Sequence, residues 1–414
     1  MKFLIKVLIF FIPCSFVNGA DLSFMDAVNE IVKRDPRISI DRTQIETQKT
    51  IVLAKKTSFL PTVNITAYES KNLTANSDTT FVGGGLDLNL YRFGYNYYDL
   101  KSEQYALQSY HAQKNTSRLK IEQEGASKLI RAIHQKSQVD IIKKIIGMKE
   151  KSVSVAKSRY KRGLAPKSEV SKALIDLDNA HSNLNDAKRT LISYLAAVKV
   201  LLGHQNVVFK WPMLNFILND APGRILQKEL QLGKRPDYQQ ALHNIESANY
   251  QRRKARSLLL PSFDFDLDRS LTETASGRTW ASTATISITI PIFDGLTNYA
   301  SYKTAKNEVR KLRYSLKRNV RILKSDFESA RDIFKTSVED VKKRQQTLNL
   351  SRVLYETNFK KFRQGRISIN ELNWDQDRLF RSESLWAKAV QSAHLNLVDL
   401  CQNFSMALKH CLEI

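Results

Sequence analysis

Glycine and proline are scarce in this chain, 14 and 9 in 414 residues, as expected of long helices. After the first twenty residues no apolar run approaches the roughly 20 residues that a membrane-spanning helix needs. The best, Leu191–Leu202, is too short and contains Lys199. With those first residues read as a secretory signal, the mature protein is expected to be periplasmic, secreted, or embedded in a membrane as β-strands. Catalytic patterns are missing as well. The seven histidines (His111, His134, His181, His204, His243, His394 and His410) have no metal spacing, come with no nucleophile motif and read mostly as exposed helix positions. Gly83-Gly84-Gly85 lacks the lysine and the serine or threonine of a phosphate loop, and fits a strand bend or close packing better. No enzyme, metal or cofactor is expected. Acidic residues are outnumbered, 41 against 65 basic, for a net charge of +24. No nucleic-acid motif accompanies that charge. Bases such as Lys303, Lys306, Arg310 and Arg313 are spread along helices, as a solvated face or one turned to anionic lipid or anionic cargo.

The first twenty residues form a secretory signal: Lys2 and Lys6, the apolar run Val7–Ile12, then small residues at Gly19-Ala20. Cys14 follows Phe11-Ile12-Pro13, a poor lipobox. Cys401 and Cys411 remain in the mature chain. On one helix they would stand about 15 Å apart, so pairing requires the tail to fold back; two free thiols fit equally well.

Between Leu296 and Gln364 lie about 69 residues without glycine or proline. Tyr302, Ala305, Val309, Leu312, Leu316, Val320, Leu323, Phe327, Ala330, Phe334, Val338 and Val341 fall at steps of three or four, the spacing of one helix face. The helix would be roughly 100 Å long. Consecutive steps of four at Leu312–Leu316–Val320 and Ala330–Phe334–Val338 pull the period toward about 3.6, that of a straight stave rather than a supercoiled rope. A coiled-coil arm is the other reading.

The chain uses one unit twice. Ile45, Glu46, Leu60 and Pro61 recur two hundred positions on as Ile245, Glu246, Leu260 and Pro261, and Pro36 as Pro236. With the offset two larger, Asn96, Tyr97, Lys101, Gly163 and Glu169 recur as Asn298, Tyr299, Lys303, Gly365 and Glu371. Each unit reads as a helix (22–58 or 222–259) interrupted by Pro36 or Pro236 and stopped at Leu-Pro. Two extended segments follow (62–72 and 79–92, or 262–272 and 279–293). A long helix (95–161 or 296–364), a glycine turn and a return helix (167–201 or 368–403) complete it. The strands alternate: Phe263, Phe265 and Leu267 against Asp264, Asp266 and Asp268, and Ile286, Ile288, Ile290 and Ile292 against Thr285, Ser287 and Thr289. Transmembrane barrel strands alternate this way, and so does a half-buried soluble sheet. Four strands cannot close a barrel alone.

The Leu-Pro before each hairpin, the exit Ile290-Pro291-Ile292-Phe293-Asp294-Gly295, and the turns Tyr160…Gly163…Glu169 and Phe362…Gly365…Glu371 together resemble the TolC family of outer-membrane channel proteins. The resemblance covers essentially the whole mature chain. It implies a mainly α fold with a small β part, organised as a signal peptide (1–20), a first repeat (21–211), a second repeat (212–403) and a tail (404–414). It also implies a homotrimer whose 12-stranded outer-membrane β-barrel is continuous with a long periplasmic α-helical tunnel. Such a channel is a passive conduit for efflux or type I secretion, working with a periplasmic adaptor protein and an inner-membrane transporter. A soluble periplasmic coiled-coil scaffold without a pore is the alternative.

Family members with a defined gate carry two aspartates after the second turn, and the matching positions here are Glu371 and Trp374. The arginine that latches the closed state falls on Ile367. Trp374 either closes the tip sterically or lies buried between helices. In the first unit the matching pair is Glu169 and Lys172, at the spacing of an i, i+3 ion pair. Gly163, Leu164, Gly365 and Arg366, in the turns 162–166 and 364–367, match the family's adaptor-docking tip, and the glycines also suit helix C-caps. Asp264, Asp266, Asp268, Thr285, Ser287 and Thr289 are the candidate pore-lining strand residues, provided that Phe263 and Phe265 face lipid.

Overall fold

A computed structural model describes residues 23–72, 77–203, 221–274 and 276–412. The expected signal peptide and Cys14 lie outside the described residues.

The first helix, α1 (Phe24–Arg34), is capped by Ser23, whose side chain accepts a hydrogen bond from the Asp26 amide at 3.2 Å. Pro36 then opens α2 (Pro36–Thr57), with Asp35 as cap accepting from the Arg37 amide at 2.9 Å. The hairpin β1 (Thr62–Asn72) and β2 (Ser77–Tyr91) leads into α3 (Tyr95–Lys161), and a turn at Gly163 into α4 (Lys167–Leu202). The second unit repeats the plan. It has α5 (Ala221–Leu226), a 3₁₀ turn (Leu232–Lys234), α6 (Pro236–Ser257), β3 (Ser262–Thr274), β4 (Gly277–Thr289), α7 (Thr297–Arg363) and α8 (Ile369–Asn403). A short α9 (Leu408–Leu412) ends it.

Two sequence expectations need correction. The second unit's first helix is not continuous from residue 222 to Pro236: α5 stops at Leu226 and only the 3₁₀ turn around Gly233 intervenes, since glycine weakens a helix and Arg235 precedes a proline. The last strand ends at Thr289, not at residue 293, because Pro291 has no amide to donate to the ladder.

The four strands form one antiparallel sheet in the order β1-β2-β3-β4, leaving β1 and β4 as open edges. The helices follow that order: α2 packs on α3, α3 on α6 and α6 on α7. Farther from the sheet, α4 and α8 return along α3 and α7, with α8 bridging to α3. Among the described residues no helix is long and apolar enough to cross a membrane.

The main core gathers where α1, α3, α7 and α8 meet, around Ile31, Ile130, Phe334 and Leu400, all fully buried. Gly125 permits this approach: a Cβ there would stand 3.0 Å from the Ile31 Cγ2. The apolar line of α7 is buried from Phe327 to Val341, where α8 covers it. Nearer the sheet, Leu312, Leu316, Val320 and Leu323 are only half-buried, against α6. At the open side of α2, Ile40 and Leu53 are 55% and 60% exposed.

The cysteines pair. Ser405 turns the chain with φ of +54°, α9 folds back on α3, and Cys401 is bonded to Cys411 with Cα atoms 5.9 Å apart. The Leu408 amide donates to the buried Glu122 carboxylate at 2.6 Å. The 15 Å separation fails because α8 stops at Asn403.

Candidate functional site

Two regions hold the residues singled out from the sequence: the polar face of the hairpins and the far end of the helices. On the sheet, register places Asp264 opposite Ser287, Asp266 opposite Thr285 and Thr289 opposite Ser262. The three aspartates therefore share one face with Thr285, Ser287 and Thr289. β2 adds to that face, with Asp87 opposite Asp266 and Asn89 opposite Asp264. Asn64 Nδ2 donates to the Asp87 carboxylate at 3.1 Å, Asn89 donates to Asp264, and the Ser262 hydroxyl donates to Asp264 at 3.1 Å. Asp87 and the asparagines were not among the candidates, although their alternation with Leu86 and Leu88 is legible in the sequence. The glycine run is close packing, as anticipated: a Cβ on Gly83 would stand 2.8 Å from the Phe81 ring, and one on Gly85 would stand 2.6 Å from Asn64 Oδ1. Phe81 in turn stacks on Tyr68, centroids 4.9 Å apart.

The other face is apolar and open. Ile65 is 81% exposed, Ile286 70% and Trp280 64%, a patch that a water-soluble sheet does not leave uncovered. An outward apolar band above a ring of aromatic residues is the arrangement of a membrane barrel, and Tyr91, Tyr97 and Tyr299 lie exposed at its foot.

At the helix ends, Gly163 and Gly365 take φ of +74° and +78°, the left-handed conformation that glycine adopts without strain. Leu164 and Arg366 beside them are exposed. Glu169 does not pair with Lys172. It bonds Arg159 across the turn at 3.0 Å, with both side chains about 10% exposed, while Lys172 donates to Asn370 of α8. The longer reach wins because Glu169 turns inward beside Arg159, whose guanidinium also lies 4.9 Å from the centre of the Phe362 ring. Ser368 caps α8 by accepting from the Glu371 amide at 3.3 Å, and its hydroxyl lies within donating distance of the Glu371 carboxylate at 3.3 Å, while Glu371 stays exposed. Trp374 is 73% exposed; of its two readings, burial between helices is overturned for the protomer. Ile367 packs against the apolar cluster of Phe362 and Leu372. Below the turn, Lys149 is buried and reaches Asp377 at 3.3 Å, and Asn373 donates to Asp176 at 2.6 Å. These contacts join α3 and α4 to α8.

The family model for outer membrane efflux proteins matches residues 27–204 and again 229–402. The chain belongs to that family. The outer membrane efflux protein fold also appears in solved structures of low identity. The Campylobacter jejuni CmeC outer membrane channel is 16% identical, with TM-score 0.76 over 92% of this chain and 85% of that one. VceC of Vibrio cholerae is 13% identical, with TM-score 0.79 over 93% and 96%. The open state of the Neisseria gonorrhoeae MtrE channel is 16% identical, with TM-score 0.77 over 93% and 89%. No curated protein sequence matches the chain. This efflux protein is thus an outer-membrane channel component, mainly helical with a small β part, and the poreless soluble scaffold is set aside.

Proposed function

We propose that three copies of this chain assemble into one conduit, a 12-stranded barrel over a helical tunnel, which passes cargo outward without chemistry of its own. The carrying observation is the four-stranded sheet with both edges open, β1 and β4. Bare edges and an exposed apolar face are unstable alone, and joining β4 of one copy to β1 of the next removes both edges. The exposed Ile40 and Leu53 of α2 then meet the open side of the neighbour's α7.

In this reading Asp264, Asp266, Asp268, Thr285, Ser287 and Thr289 line the pore, and Asp87 adds to them. Glu371 and Trp374 sit at the periplasmic constriction, with Trp374 narrowing it sterically. Gly163, Leu164, Gly365 and Arg366 form the tip that meets a periplasmic adaptor, through which an inner-membrane transporter supplies the energy. The exposure of Trp374, Leu164 and Arg366 supports these roles.

Isolation of outer membranes tests the assembly. A heat-modifiable trimer that conducts in planar bilayers is the expected result; a monomer in the soluble periplasmic fraction would overturn it.

A further inference from the structure

The cations at the foot of the hairpins have no place in conduction or docking. Each of the four wall helices carries one within two turns of its hairpin end: Lys56 on α2, Lys101 on α3, Arg256 on α6 and Lys303 on α7. They are the same two positions used twice, since Arg256 repeats Lys56 and Lys303 repeats Lys101. Two follow a tyrosine by four residues. The Lys101 ammonium lies 5.8 Å from the centre of the Tyr97 ring, and the Lys303 ammonium 6.0 Å from that of Tyr299. Among the described residues none of the four has a carboxylate within ion-pair distance, whereas the neighbouring Lys55 and Lys254 are both taken by Asp99, at 3.0 and 2.7 Å.

The surface they occupy follows from helix geometry. The apolar line of α7 (Tyr302, Ala305, Val309) faces α6, so residues a quarter-turn away lie on one surface of the wall. That surface carries Tyr299, Lys303, Lys306, Arg310 and Arg313. With Arg252 of α6, one turn from Arg256, the last three and Tyr314 line a groove of about 320 Å³ over Val309. The opposite surface is small and nearly neutral: Gln251, Ser301, Thr304 and Glu308. An exposed tyrosine at the edge of an apolar band, followed by a cation, is the signature of a membrane–water interface. The basic surface is therefore the outward one. At 1.5 Å per residue Lys303 stands about 9 Å from the start of α7, at headgroup depth, and Arg310 and Arg313 lie within about one to two Debye lengths beyond it.

We infer that Lys56, Lys101, Arg256 and Lys303 form a basic girdle that seats the anionic phospholipid headgroups of the periplasmic leaflet, with the Arg252–Arg313 groove extending its field. Aromatic rings fix the height of the barrel, and the cations select lipid charge. The inference rests on the outward orientation of this surface, so the test reads lipid and pore separately.

The full-length protein is reconstituted in nanodiscs of equal phosphatidylethanolamine and phosphatidylglycerol, and the lipids retained on release are counted by native mass spectrometry. Preferential retention of phosphatidylglycerol is expected. In Lys56→Gln/Lys101→Gln/Arg256→Gln/Lys303→Gln the preference should fall by about fivefold for each neutralised cation. Lys56→Arg/Lys101→Arg/Lys303→Arg should keep it, and heat-modifiable migration identifies folded protein. Wild type without preference, or a folded Gln variant with preference intact, overturns the inference. So does altered ion selectivity in planar bilayers with lipid retention unchanged, which would put the girdle inside the pore.

Discussion

Arg159 and Glu169 stand on opposite sides of the first helical turn with Nη1 and Oε1 3.0 Å apart and both side chains about 10% exposed. The pair closes the α3–α4 end, and Arg159 ties it to the second turn through Phe362. Removing one partner of a largely buried pair leaves the other charge uncompensated. Arg159→Ala should therefore destabilise the tip by about 2–3 kcal/mol. Hydrogen exchange over residues 155–170 should accelerate, while the hairpins stay protected. Arg159→Met/Glu169→Gln should recover part of the loss, and equal exchange in both variants would show the pair to be incidental.

His134 Nε2 and His394 Nδ1 lie 3.1 Å apart between α3 and α8. Burial pushes His134 down to about 4 from an ordinary 6.5. One ring must donate and the other accept, so protonating both sets two donors against each other. The sign follows: below pH 6.5 the unfolded chain binds the proton that the folded chain refuses, so stability falls as pH drops from 6.5 toward 4. The loss approaches about 1.4 kcal/mol per pH unit. Denaturant midpoints at pH 7 and pH 5 should differ in wild type and converge in His134→Gln; an equal pH dependence in both would refute the assignment.

Much of this was legible in the sequence. The duplicated Leu-Pro, the glycine turns and the strand alternation located both hairpins and both long helices, with α3 at 95–161 as expected. These features are local, set by backbone chemistry and periodicity. What was missed depends on partners distant in sequence. His134 and His394 are 260 residues apart, and each alone looks like an ordinary helix position. Glu169 had a nearer lysine at helical spacing, and only the turn geometry shows that Arg159 takes it. The disulfide was undecided because it depends on where α8 stops.

Reduction should loosen the tail. The Cys401–Cys411 bond spans a separation of 10 residues, and closing so short a loop is worth about 2–3 kcal/mol. Cys401→Ser/Cys411→Ser should lower stability by that amount and speed exchange of the Leu408 amide, which donates to Glu122. Wild type under reducing conditions should match the variant; unchanged protection of Leu408 would show that packing alone holds α9.

Trp374 is the sharpest test of the proposed constriction. The side chain is 73% exposed in the protomer, on the first turns of a helix whose neighbours Leu372 and Asn373 are buried. Truncation therefore removes no protomer core, and Trp374→Ala should change stability by under about 1 kcal/mol. In a trimer three indoles would converge at the tip, and their loss should raise single-channel conductance in planar bilayers. Trp374→Asp should raise it too, while favouring cations by adding a second acidic ring beside Glu371. Conductance equal to wild type in both variants would place the constriction elsewhere, with the Lys149–Asp377 contact the next position to substitute.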